Sequence, residues 1–345
     1  HSLLGVKYHT PEFKHNRNNP LNIDLLVIDE ASMVSLPLMT RLMQAVPEKA
    51  MVILLGDKDQ LASVESGAIL ADICESAQLW DNIAELHHSY RFDEHKGIGR
   101  VKNAVNTGNG EAAYNIAMNA GEQFLLRNNP AVDDIGRELQ KLIQQEIITD
   151  CNNQPVSLES YKKLIRRHSE EDIEQAYTIL NGFKILCSHH NGFFGEKQIN
   201  RLMLDLLGFA DSSESGIPVM VTQNDNSVNL YNGDIGLIWQ VNGEKRVYFP
   251  NTREGENKFF HLPFVQLPEH ETVFAMTIHK SQGSGFENIL CILPDRISPL
   301  LTRELLYTAI TRAGKQAVMW ANKPVFIEAV ENNTLRDSGL KDKLT

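Results

Sequence analysis

Residues 25–33 read LLVIDEASM, an apolar run that stops on two adjacent carboxylates, Asp29 and Glu30. A continuous apolar run of this length fits a strand buried on both faces, as in a parallel sheet. Asp29 and Glu30 then stand at its carboxyl end, where open α/β sheets place ligands. Paired carboxylates there can hold a hydrated magnesium ion and orient an attacking water. The plainer alternative is a strand that closes in a solvated acidic turn, and the stretches on either side weigh between the two.

Downstream, Ser35 and Pro37 are helix-start signals, and Leu36, Met39, Leu42, Met43 and Val46 recur at helical spacing until Pro47. A second apolar run, residues 51–55, ends in Gly56-Asp57-Lys58-Asp59-Gln60-Leu61, again polar groups at a strand's carboxyl end. Strand, helix, strand with chemistry at both tips describes a βαβ unit. Gln60 is placed to feel a phosphate bound between the tips; alone it is an ordinary turn residue, and the GDxDQ context is the more specific signal. A third strand is expected over residues 83–86, leading into Ser89-Tyr90-Arg91-Phe92. His87 and His88 would face opposite ways on a strand and make a poor metal pair.

Upstream, the chain opens at HSLLG without a cap or strand, which reads as a cut inside a domain. Residues 7–19 (KYHTPEFKHNRNN) set Lys7, Lys14, His15 and Arg17 against one acid, Glu12. Composition favours a solvated loop over a short basic hairpin.

At 345 residues the chain exceeds what one core usually supports, about 250–300 residues, so more than one domain is expected. With 42% hydrophobic and 22% charged residues it has an ordinary globular composition, and no apolar run is long enough for a membrane span. No charged-then-apolar leader opens it, so a cytoplasmic protein is expected. Cys74, Cys151, Cys187 and Cys291 are scattered, without a CxxC pair or zinc-like spacing, and read as reduced thiols. The net charge of −11 excludes a uniformly basic surface, yet a local Lys/Arg stripe can still line a nucleic-acid channel.

Between residues 108 and 181 the patterning is weak, with helices expected over 111–118, 133–147 and 158–180. Residues 183–187 return to a buried strand, followed by Ser188-His189-His190-Asn191 and a helix carrying Ile199, Leu202 and Leu206. Short strands over 218–222, 235–241 and 246–249, with an Asn232-Gly233 turn signal, suggest a small β-barrel or sandwich inserted at about 224–271. Then residues 275–286 (AMTIHKSQGSGF) break a strand into glycines, hydroxyls, a lysine and a histidine. Such a loop can bring backbone N–H groups and a cation to phosphate oxygens. The strand 289–293 and a helix bearing Arg303, Glu304, Tyr307, Thr308, Thr311 and Arg312 follow. Arg312 is either a surface residue or one that reaches a nucleotide on a neighbouring domain.

Taken in order, DEAS, GDxDQL, SYRF, NGD, TIHKSQGS and LLYTAITRA resemble the motif series of superfamily 1 DNA helicases, most closely the RecD family of the bacterial exodeoxyribonuclease V (RecBCD) complex. The resemblance spans nearly the whole chain and is weakest between about 108 and 180. It implies an α/β fold with two RecA-like parallel-sheet motor domains, the first incomplete. The first would take residues 1–88, the second 89–223 and 272–345. A helical insert is implied at about 108–180 and an SH3-like β subdomain at 224–271.

By the same resemblance, Asp29 would hold Mg²⁺, Glu30 would activate the water that attacks the γ-phosphate of ATP, and Gln60 would sense that phosphate. Arg91 and Arg312 look like paired arginine fingers. Asp57, Lys280, Gln282 and Gly283 are carried over as nucleotide contacts, and Lys14, Arg17, Thr277, His279 and Ser284 as DNA contacts. Residues 7–19 correspond in position to a strand-splitting pin, which reverses the preference for a loop. The implied partners are single-stranded DNA and duplex DNA ends, with RecB- and RecC-like subunits and no membrane. Grip on DNA would combine phosphate contacts with base stacking, and the aromatics that stack are not evident from the sequence.

Two departures stand out. Position 285 is glycine where the family loop usually carries glutamate, and no GxxxxGK[ST] occurs anywhere in the chain. Without that loop there is no cradle for the β- and γ-phosphates. The expectation is a C-terminal portion of a 5′-to-3′ motor with no appreciable ATPase activity alone. Two rival readings are a two-metal nuclease built on Asp29, Glu30, Asp57 and Asp59, and a non-catalytic partner-binding module.

Overall fold

The computed structural model describes the chain except for residues 1, 7–11, 63–68, 87–88, 146–147, 150–153, 168, 252–256, 334–339, 341–342 and 344–345. The tip of the basic stretch with Lys7, the His87–His88 pair and Cys151 therefore lie outside the described residues. The chain divides into two compact units. One comprises His1–His88, Thr302–Thr308 and Asn332–Thr345, the other Ser89–Leu301 and Ala309–Glu331.

In the first unit, β1 (Leu25–Ile28) and β2 (Met51–Leu54) pair in parallel, Leu25 opposite Met51 and Ile28 opposite Leu54, and α1 (Leu36–Ala45) connects them. This is the expected βαβ unit. The α1 face carrying Met39, Leu42 and Ala45 is buried, as its spacing requires. Leu4, Leu21, Leu26, Leu42 and Ala45 form the core.

The expectation that β1 is buried on both faces is corrected. Leu26 is buried, but Leu25 and Val27 are each 50% exposed, and Met51 and Ile53 beside them are exposed as well. Side chains alternate across a strand, so one face packs on α1 while the other has no covering layer among the described residues. Residues 83–86, expected as a third strand, have no regular structure, and Leu86 is almost fully exposed. A short apolar run becomes a strand only if a neighbour accepts its ladder bonds. A helix α2 (Ile69–Cys74) completes this part.

Val6 and Phe13 form an antiparallel bridge, backed by Lys14 N donating to Gly5 O at 2.7 Å and His15 N to Leu4 O at 2.9 Å. The flanks of the basic stretch thus pair as a hairpin. A second small turn closes between Asn16 and Asn19.

The second unit opens with α3 (Gly97–Asn106), α4 (Gly110–Met118) and β3 (Phe124–Arg127). Next come α5 (Ile135–Ile143), the short pair β4 (Ile148–Thr149) and β5 (Pro155–Val156), then α6 (Tyr161–Ile165) and α7 (Ile173–Gly182). The long helix expected over 158–180 is thus interrupted. β6 (Phe183–Cys187) and α8 (Glu196–Leu207) follow, then β7 (Pro218–Val221), β8 (Ile235–Val241), β9 (Glu244–Pro250), β10 (Phe259–Pro263) and β11 (His270–Thr272). The chain closes with β12 (Ala275–Thr277), β13 (Phe286–Ile292), α9 (Arg303–Thr311, grouped with the first unit through Thr308), β14 (Ala313–Trp320) and α10 (Lys323–Glu331).

The central sheet of this unit has the order β12-β6-β13-β14-β3, and every pairing in it is parallel. Every residue of β6 is buried, the signature of a strand covered on both faces. β3 pairs with β14 inside the region read as a helical insert, so β3 is a strand of the central sheet. β7 to β11 form a separate five-stranded antiparallel sheet, order β10-β9-β8-β7-β11, starting at Pro218 and not at 224. Its Asn232-Gly233 turn is present, with Gly233 at φ 97°, a conformation that favours glycine.

Candidate functional site

In the first unit the two strand tips meet. Ala31 N donates to Leu55 O and Leu55 N to Ile28 O, both at 2.8 Å. Gly56 lies so close that an added Cβ would stand 3.2 Å from Ala31 N and 3.3 Å from Ser32 N, so the approach needs glycine. Glu30 caps the turn at φ 50°, ψ 42°, the left-handed region. For a non-glycine residue this conformation costs on the order of 1–3 kcal/mol, and such strain concentrates where a side chain must be aimed.

Asp29 is exposed, and its Oδ1 accepts from Glu30 N at 2.8 Å. The other oxygen has no partner among the described residues. One fixed carboxylate oxygen and one open one suit Mg²⁺, which takes one or two protein carboxylates and completes its octahedron with water and phosphate.

Asp57 is turned into its own loop. Its Oδ1 accepts from Asp59 N at 3.0 Å, and its Oδ2 from Gln60 Nε2 at 3.0 Å and from the Tyr307 hydroxyl at 2.9 Å. Leu61 N donates to Thr308 Oγ1 at 2.8 Å. Asp57 therefore orients Gln60 and is not an open ligand, while Tyr307 and Thr308 brace the loop. The sequence shows both residues on a helix, but nothing in their spacing points to this role. No group of three or more His, Cys, Asp or Glu among the described residues could hold a metal ion, which disfavours the two-metal nuclease reading. Lys58, beside them, is paired with Glu85 at 2.5 Å, and that bond raises its pKa against the opposing effect of burial.

In the second unit the two arginines converge on one spot. Arg91 Nη1 donates to Thr311 O at 2.7 Å, and its guanidinium lies where a Cβ on Gly285 would meet Nη2 at 3.1 Å. Arg312 is buried and donates from Nη1 to Ser284 O at 2.9 Å. Position 285 is thus packed against the Arg91 head group.

The loop after β12 is wound into successive turns. Ser281 N donates to Thr277 O, Gln282 N to His279 O and Ser284 N to Ser281 O, while Lys280 N reaches Thr277 Oγ1. Gly283 is exposed at φ 76°. The N–H groups of Lys280, Ser281, Gln282 and Ser284 thus bond inside the loop. Lys280 Nζ is clamped between Glu196 at 2.7 Å and Glu271 at 2.5 Å. Burial alone would lower the Lys280 pKa, but these two carboxylates outweigh it and the pKa is raised. Glu196 is 97% buried, also accepts from His190, and has its second oxygen unpartnered among the described residues.

At the carboxyl ends of β6 and β13, Ser188 Oγ bonds His189 Nδ1 at 2.8 Å and His189 Nε2 bonds Ser298 Oγ at 3.0 Å; burial lowers the His189 pKa. Of the expected DNA contacts, Lys14 and Arg17 are exposed in the first unit, Arg17 beside a mostly apolar groove of about 680 Å³. Thr277, His279 and Ser284 are half-buried on the loop.

The chain is similar to known proteins along its length. Residues 5–122 match the family described as AAA domain, and residues 272–320 the UvrD-like helicase C-terminal domain. The RecBCD enzyme subunit RecD of Mycolicibacterium smegmatis is 35% identical over 100% of this chain and 58% of its own length. That of Haemophilus influenzae is 30% identical over 99% and 57%. The ATP-dependent RecD2 DNA helicase of Deinococcus radiodurans is 28% identical over 91% of this chain and 38% of that protein. The crystal structure of Pif1 helicase from Bacteroides in complex with ADP-AlF3 and ssDNA has a TM-score of 0.49 and 20% identity, covering 99% of this chain and 82% of that one. The chain spans somewhat under three-fifths of the length of the RecD relatives. None of the described helices is long and apolar enough to cross a membrane. With 30–35% identity to RecD subunits along its entire length and a UvrD-like helicase C-terminal domain match over residues 272–320, the chain is similar to the RecD family.

Proposed function

We propose that the chain is part of an ATP-dependent 5′-to-3′ DNA helicase subunit of a RecBCD-type exodeoxyribonuclease V. It would work in the cytoplasm with RecB- and RecC-like subunits on DNA ends, in double-strand break repair and recombination. The observation that carries this reading is the pair of strand tips in the first unit, where a strained Glu30, an open Asp29 oxygen and an oriented Gln60 face the same end of one parallel sheet.

Asp29 would hold Mg²⁺ through its open oxygen, and a bound ion would supply positive charge to the phosphate oxygens of ATP. Glu30 accepts a proton from the attacking water, and Gln60 reports the γ-phosphate through the Asp57 loop. Arg91 and Arg312 supply positive charge for the transferring phosphoryl group. Arg312 bonds Ser284 O and Arg91 lies against Gly285, so their engagement is coupled to the loop proposed to follow the DNA strand.

The test uses the full-length RecD-type protein assembled with its partner subunits. Glu30→Gln is expected to lower DNA-stimulated ATP hydrolysis by at least a hundredfold while DNA binding persists. Unchanged hydrolysis would refute the assignment. The 345-residue chain alone, having no GxxxxGK[ST], is expected to hydrolyse ATP at background rate.

A further inference from the structure

The sequence does not indicate which aromatic side chains meet a nucleic acid, and the surface of the second unit offers one. Phe193 stands 62% exposed in the turn between β6 and α8, next to Gly192 at φ 95°. Lys197 and Arg201 are exposed on α8, one turn apart, so their Cβ atoms are about 5–6 Å from each other on one face. Together with Asn191, Gln198 and Gly192 they line an open concavity of about 420 Å³ that no carboxylate enters. Among the described residues neither cation takes part in an ion pair. A lone exposed phenylalanine is unremarkable. One flanked by two unpaired cations on a rigid helix has the two parts that grip a single strand: a stacking face and phosphate contacts.

The position points the same way. The turn follows β6, at the carboxyl end of the parallel sheet, where ligands bind in open α/β folds. Glu196 lies between Phe193 and Lys197 in sequence and, buried, binds Lys280 of the loop after β12, which ties the start of α8 to that loop.

We propose that Phe193, Lys197 and Arg201 form a contact point for single-stranded DNA, with a base stacked on the Phe193 ring and backbone phosphates held by Lys197 and Arg201. This rests on the DNA-motor reading above and adds to it a specific site. Being built on a ring face and two point charges, the site is insensitive to base sequence and sensitive to salt.

Fluorescence anisotropy of the 345-residue chain with labelled oligothymidine, across a salt series, tests it. Phe193→Ala is expected to weaken binding about tenfold with the salt slope unchanged, and Phe193→Trp to restore it. Lys197→Ala/Arg201→Ala is expected to flatten the slope of log K against log salt by about 1.4, two phosphates at about 0.7 each. Iododeoxyuridine oligonucleotide should crosslink to the peptide containing Phe193. If the parent chain binds but these variants bind with the same affinity and slope, the contact point is refuted while the motor reading stands, and the patch is left to an acidic protein partner. Failure of the parent chain to bind at all counts against both.

Discussion

Replacing Lys280 by alanine strips the buried Glu196 of its lysine counter-charge, and the structure fixes what that costs. Removing one partner of a fully buried ion pair costs about 3–5 kcal/mol. Here the Lys280 side chain is 30% exposed and Glu271 31%, and His190 still bonds Glu196, so water and imidazole recover part of the loss. The expected destabilisation is about 2 kcal/mol. In a unit of this size that lowers Tm by roughly 4–8 °C. Glu196→Gln removes the buried charge while keeping the shape, so Lys280→Ala should cost much less in that background, with a coupling of about 1–2 kcal/mol. Glu271→Gln, at the exposed end, should cost under about 1 kcal/mol.

The pH dependence follows from the raised Lys280 pKa. Stability from the cluster is fully present below the ordinary lysine value of 10.5 and is lost as pH rises through the higher folded value. Calorimetry of the two single variants and the double variant provides the assay. Additive losses, or a Tm within 1 °C of the parent for Lys280→Ala, would refute the argument that the lysine braces the loop.

Other outcomes follow from single positions. Glu30→Gly should stabilise the first unit by about 1 kcal/mol in urea unfolding, because glycine adopts φ 50° without strain, while abolishing hydrolysis in the full-length motor. Lys184 is fully buried in β6, where its Nζ donates to Val273 O at 3.2 Å and burial lowers its pKa to about 8. Since the unfolded chain binds that proton more tightly, Lys184→Met should stabilise by about 1–2 kcal/mol at pH 7 after the lost hydrogen bond is counted, with the gain shrinking between pH 8 and 10.5. Denaturant midpoints at three pH values would check it. Gly285→Glu meets only the far end of the Arg91 side chain, at 3.1 Å, so Tm should move by no more than about 3 °C.

Much was legible from residue order alone because it is local chemistry. The apolar runs ending in Asp29-Glu30 and Gly56-Asp57 define strand tips by their own composition, α1 follows from spacing, and the order of short motifs identifies the family. What required the folded chain is what links distant residues. Lys280 and Glu196 are 84 positions apart, and Arg91 and Thr311 are 220 apart. Only the β12-β6-β13-β14-β3 order brings their loops together. The pattern of 83–86 resembles a strand but lacks a pairing neighbour, whereas Phe124–Arg127, hidden among helices, gains one in β14. A run of side chains encodes the tendency to be a strand, but ladder bonds and ion pairs need a partner, and the partner's position is a property of the tertiary fold.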